Sequence, residues 1–371
     1  MISDRALGIA VERAVVTAEQ AEALHGIERE IATLSVQPAP ADAFPREQAD
    51  DEALRFISGF ADIFVTIGIA LFIGALFYIM DEQAGLTMAF AASAGAAWLL
   101  AEFFTRRRRQ ALPSIVLLIV FVVGAFEVLA YTFAILLPAS VNSISDNVWM
   151  LPTTNGAALI LAGLGTMGFA ALHYYRFRVP ITIAAGMAAF GIVALGVVVS
   201  ITPDLSRPVF NGLVLVCGLL TFALAMYFDL SDPSRATRRT DIAFWLHLLA
   251  APLIVHTLIR GFLHGLDGDP TTTGAIGVLA VFLLIGIVAV IIDRRAILVS
   301  GLLYAGIAFG ALIKTLGFSG SSLLIPVVLL TLGGFILLLS AGWHPLRRTL
   351  LGLLPPALAR KLPHPLVASA S

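Results

Sequence analysis

Residues 242–263 read IAFWLHLLAAPLIVHTLIRGFL. The run is about as long as the ~20 residues a helix needs to cross bilayer hydrocarbon. Apolar side chains lie all around it, so no face is left for water. Yet it holds His247, Pro252, His256 and Arg260. A span with embedded polar groups sets the frame for the rest of the chain.

Nine similar segments accompany it. With the first, they occupy residues 60–80, 84–104, 112–137, 156–175, 179–201, 209–228, 242–263, 273–292, 297–316 and 322–341. Hydrophobic residues make up 59% of the 371 and charged residues 13%. A soluble globular chain carries roughly 25% charged residues. The surplus apolar surface must face lipid. Runs this long and without alternation exclude a barrel, which leaves helices. The expected fold is an all-α polytopic bundle of about ten transmembrane helices.

Orientation follows from the basic residues. Loops on one side, with both termini, hold twenty Lys and Arg; those on the other hold Arg207, Arg260 and Lys314. Both termini are expected in the cytoplasm. Trp245 and Trp343 fall near the inner ends of their segments, as interface anchors. The four consecutive arginines Arg106, Arg107, Arg108 and Arg109 suit topology and anionic lipid headgroups.

Outside the 60–343 helical domain, residues 1–34 read as a soluble helical hairpin. Leu7, Ala10, Val11 and Ala14 recur at helical spacing, as do Leu24, Ile27, Ile31 and Leu34. Thr17-Ala18-Glu19-Gln20 between them is a capping box, which predicts a helix start at Ala18. Residues 35–59 form a proline-bearing linker and an amphipathic lead-in, and 344–371 an interfacial tail. Residues 1–59 carry eleven acidic and five basic residues. That sign opposes nucleic-acid binding and leaves a small docking hairpin, for a cytoplasmic protein or for this chain's own cytoplasmic loops. The first 59 residues are polar, so the first apolar run does not read as a cleavable signal peptide.

Charged groups at membrane depth tend to face a cavity or a partner. In this topology Glu127 lies roughly 22 Å from the cytoplasmic helix end, His256 roughly 21 Å, Arg260 roughly 27 Å and Lys314 roughly 25 Å. Together they predict an outer-half polar pocket for an anion or a proton-linked solute. Pro252, one turn below His256, is the hinge candidate. The competing reading is structural: Glu127 neutralised by one basic partner while Arg260 and Lys314 reach the headgroups. A second set, Asp62, Glu102, His173 and His247, lies near the cytoplasmic edge and reads as interfacial residues beside arginines.

Packing signals are ordinary. Gly306 with Gly310 in the ninth segment, and Ala91 with Gly95 and Ala92 with Ala96 in the second, are small-residue pairs suited to close helix contact. Catalytic signatures are absent: no HExxH, GxSxG or Walker loop. Neither metal nor cofactor is expected, and the lone Cys217 cannot form an internal disulfide. Two functions lead, a scaffold or sensor with a docking hairpin and a secondary transporter using the outer pocket; an intramembrane enzyme stands third, disfavoured by the missing motifs.

The opening Val11-Glu12-Arg13-Ala14-Val15-Val16-Thr17-Ala18-Glu19-Gln20-Ala21 resembles the start of a family of bacterial multi-pass membrane proteins of unknown function. Its members join an N-terminal helical hairpin, with an ERGxIxxEQA pattern, to a run of membrane helices. Ala14 stands here for the family's glycine. The resemblance implies a bacterial inner-membrane location and no particular activity.

Overall fold

The computed structural model describes residues 12–13, 17–23, 60–137, 155–202, 205–232, 237–263, 272–314, 322–355 and 362, without the side chains of 207, 260–263, 296 and 303. The chain divides between Ala53 and Leu54. In the N-terminal unit the capping box is formed. The Gln20 amide donates to Thr17 Oγ1 at 3.2 Å and the Thr17 amide to Gln20 Oε1 at 2.9 Å. Helix starts at Ala18, where the box placed it. The rest of the expected hairpin, the linker 35–59 and the loop 138–154 lie outside the described residues.

The second unit is a run of helices in chain order. They are α1 (Phe60–Ala84), α2 (Leu86–Ala101), α3 (Ala111–Leu136), α4 (Gly156–Phe177), α5 (Ile181–Ile201), α6 (Arg207–Leu230), α7 (Arg238–Leu263), α8 (Thr272–Ile292), α9 (Ala296–Ile313), α10 (Leu324–Ala341) and α11 (Trp343–Gly352). Each expected apolar segment is a helix, and no strand occurs among the described residues. Nine of these helices are long and apolar enough to cross a membrane; Ile297–Ile313 in α9 is a shorter apolar helix.

Local chemistry fixes the helix ends. Asn155 caps α4, its Oδ1 accepting from the Ala157 and Ala158 amides at 3.0 and 3.3 Å. Three turns at the arginine-rich end of the bundle are closed by left-handed residues other than glycine: Arg109, Arg178 and Asp293, with φ of 55°, 55° and 58°. This conformation costs roughly 1–2 kcal/mol per non-glycine residue, so the turns are held by what surrounds them.

Packing follows the sequence order, with α5 joining two halves. α3 packs on α1, α2, α4 and α5, while α7 packs on α5, α6, α8 and α9. α4 and α5 approach closely: a Cβ on Gly196 would stand 2.8 Å from the Gly156 carbonyl oxygen. Gly306 and Gly310 of α9 face Leu332 and Val328 of α10, so this pair serves internal packing as expected. The α2 seam differs from its reading. Gly95 meets nothing within 4 Å, and Ala94 and Ala97 are buried instead, with Gly124 of α3 fitted against Ala94.

The outward faces are apolar. α10 has no buried residue, and Leu330, Leu337 and Leu338 are 72–77% exposed. α1 likewise turns Phe60, Phe64 and Leu71 outward. Such surface would promote aggregation in water but costs nothing against acyl chains. The protein is an integral, multi-pass membrane protein.

The tail after α10 departs from a purely interfacial segment. α11 buries Trp343, Arg347 and Leu351, four residues apart on one face, and packs that face on α8. Trp343 is therefore no interface anchor: it is 1% exposed, and its Nε1 donates to Asp293 at 2.8 Å. Arg295 lies over its ring at 5.2 Å.

Candidate functional site: a buried ionic network

Of the four residues expected to form an outer pocket, three have described side chains: Glu127, His256 and Lys314. Glu127 lies half-buried on α3 and makes no hydrogen bond or ion pair with another described residue. His256 instead meets α9, its Nδ1 hydrogen-bonded to the Tyr304 hydroxyl. No bond joins Glu127 to His256 or Lys314; α3 has its main contacts with α1, α2 and α4, and α7 with α5, α6, α8 and α9. Equal depth along different helices does not by itself make neighbours. The Arg260 side chain lies outside the described residues. At Pro252, α7 continues without a break from Arg238 to Leu263; proline leaves the Leu248 carbonyl without its amide partner.

The most deeply buried charges sit at the arginine-rich end. Asp229 is in the last turn of α6, His247 in the third turn of α7 and Arg294 in the turn between α8 and α9. Their side chains are 0–1% exposed. His247 Nε2 donates to Asp229 Oδ2 at 2.9 Å, and Arg294 Nε donates to the same oxygen at 3.1 Å. Arg294 Nη2 donates to Oδ1, so the guanidinium grips the carboxylate through both oxygens. Phe222 of α6 meets the His247 ring edge-on, at 5.4 Å between centroids.

Each element positions its own group. Thr237 and Thr240 donate to Asp232, which ties the start of α7 to the end of α6. Ala225, Ile242 and Leu246 pack below the network, fixing the two helices face to face. The left-handed Asp293 turns the chain so that Arg294 points inward, and Asp293 is itself held by Trp343 and, at 3.9 Å, by Arg347 of α11. Breaking one member of a buried ion pair strands a charge and costs about 3–5 kcal/mol. The network thus ties the end of α6 and the α8–α9 turn to the third turn of α7.

A parallel arrangement closes the first half. α2 widens into a π-helical turn over Glu102–Arg107, with the Arg108 amide bonded to the Phe103 carbonyl five residues back. Such turns shift the helix face by one residue. Here Glu102 receives Arg176 of α4 through two bonds of 2.8 Å, and Arg106 at 3.2 Å. Glu102 therefore contacts arginines, as its position at the edge suggested. His173 is buried among Trp98, Phe121 and Phe177, with Thr182 Oγ1 3.3 Å from its Nδ1.

Sequence reasoning placed His247 and Glu102 near this end but missed Asp229 and Arg294. In the count of basic residues by side, Arg294 is one of the twenty and nothing more. The available signal was the brevity of the α8–α9 turn, which leaves its arginine little room to leave the helix ends. For Asp229, the signal was a carboxylate directly after an apolar run.

Two cavities border the described residues, both largely apolar. One, of about 410 Å³, is walled by α3, α5 and α7, including Phe126, Ala185, Trp245 and Leu249. The other, of about 440 Å³, lies between α4, α5 and α6. None of the three network residues lines either. Among the described residues no cluster of His, Cys, Asp and Glu suits a metal ion.

Fold and site together define an all-α integral membrane bundle with two ionic networks at its arginine-rich end. Comparison with family models, with curated proteins and with solved structures returned no match.

Proposed function

We propose that this protein is a non-enzymatic scaffold or sensor of the bacterial inner membrane, with both termini cytoplasmic and an acidic N-terminal hairpin that docks a cytoplasmic protein. The observation that carries the reading is the closure of the Asp229–His247–Arg294 network. Its members turn toward one another rather than into a cavity, which suits a rigid platform. The twenty-to-three division of basic residues supports the orientation, and the ERAVVTAEQA opening supports the bacterial setting. Glu19 and Glu22 are exposed in the helix after the capping box and offer the docking charge. Purifying the full chain and a Glu19→Lys/Glu22→Lys variant tests this. The reading predicts a co-purifying partner lost from the variant; an unchanged set of proteins would overturn it.

A secondary transporter is the second reading, favoured by one observation. Ionisable residues buried in membrane helices often carry protons, and Asp229 with His247 is a carboxylate–imidazole pair contributed by two helices. Proton-gradient-driven flux in proteoliposomes, abolished by His247→Phe, would move this reading ahead.

A further inference from the structure

The groove between α4, α5 and α6 has an apolar stem and a basic mouth. Met167, Ala171, Met187, Phe190 and Leu224 wall it. Gly186 leaves a hollow in which an added Cβ would meet nothing within 4 Å. Tyr174 and Arg178 line its arginine-rich end. From Met167 to Arg178 is eleven residues of α4 and its cap, or roughly 16 Å at the helical rise. One leaflet's hydrocarbon is roughly 15 Å deep. The groove therefore reaches from the membrane interface to about the midplane.

The charge at the mouth is open. Arg176 is committed to Glu102 by two bonds, whereas the exposed Arg178 makes no ion pair with another described residue. Arg178 is also the left-handed residue that ends α4, so its backbone is fixed at the turn. No carboxylate lines the groove to neutralise it.

We propose that this groove is a binding site for an anionic phospholipid. One acyl chain lies along the α4–α5 hollow past Gly186, and the headgroup phosphate pairs with the Arg178 guanidinium beside Tyr174. An apolar trough one leaflet deep selects a lipid chain. The unneutralised guanidinium selects a net negative headgroup over a zwitterionic one.

The test is native mass spectrometry of the purified full chain with phosphatidylglycerol and phosphatidylcholine added at equal concentration. The parent retains phosphatidylglycerol in preference. Arg178→Gln lowers that retention roughly tenfold, as loss of one charge-assisted bond implies, and leaves phosphatidylcholine unchanged. Arg178→Lys, which keeps the charge, retains most of the preference. Gly186→Leu fills open space without displacing backbone and lowers retention of both lipids. The proposal is overturned if Arg178→Gln and Gly186→Leu bind as the parent does. It is equally overturned if Arg107→Gln, away from the groove, loses as much as Arg178→Gln, or if millimolar inorganic phosphate displaces the lipid, which would mark a free-anion site.

Discussion

Glu127 and Asp229 are both carboxylates on membrane helices, and they meet opposite fates. Asp229 has two basic partners; Glu127 has no hydrogen bond or ion pair among the described residues. Glu127→Gln is therefore expected to leave thermal stability in detergent within about 0.5 kcal/mol of the parent or to raise it. A fall of several kcal/mol would mean that Glu127 has a partner after all. The difference between these two residues was only half legible in the sequence. Composition and hydropathy give depth along a helix, which is why Glu127, His256 and Lys314 looked like one layer. They do not give azimuth or helix neighbourhood, which keeps Glu127 in the first half and pairs His256 with Tyr304. Arg294 was hidden for another reason. Counting basic residues by side treats a loop arginine as solvated, whereas this one turns inward and is buried.

Helix positions were legible because each span must satisfy its own backbone in lipid, leaving a long apolar run as its mark. The capping box was equally plain, because two side chains must reach two named amides. Seams between helices were legible only where small residues left a single solution, as at Gly306 and Gly310; in α2 several alanines compete, and Ala94 and Ala97 take the seam. The α4–α5 contact yields a sharp expectation. Gly196→Val would drive a side chain against the Gly156 carbonyl oxygen, which a Cβ alone would approach to 2.8 Å. Overpacking of this kind costs about 1–3 kcal/mol, so the variant should melt earlier, while Gly191→Val, with nothing within 4 Å of its Cβ, should not. At α11, Trp343→Phe removes the bond to Asp293 while keeping an aromatic ring. About 1 kcal/mol of stability should be lost, together with faster proteolysis of the tail. An unchanged cleavage rate would show that α11 is held by other contacts.

At the scale of the helical unit, the basic residues gather at one end and the described outward faces are apolar, so orientation and rigidity belong to the bundle rather than to any one helix. Orientation is testable because the chain has a single cysteine, Cys217, which is buried. In a Cys217→Ser background, Arg107→Cys should react with an impermeant thiol reagent only from the cytoplasmic side, and Ser206→Cys only from the other. The reverse pattern would invert the protein in the bilayer. Rigidity rests on the Asp229–His247–Arg294 network, and the most direct measurement is a mutant cycle followed by detergent-induced unfolding. Asp229→Leu and Arg294→Met should each destabilise by about 3–5 kcal/mol, since each strands a buried charge, while the apolar triple Asp229→Leu/His247→Phe/Arg294→Met should regain most of that loss. Single variants that cost under about 0.5 kcal/mol, with additive effects in combination, would show that these charges are solvated and that no buried clamp joins the helix ends.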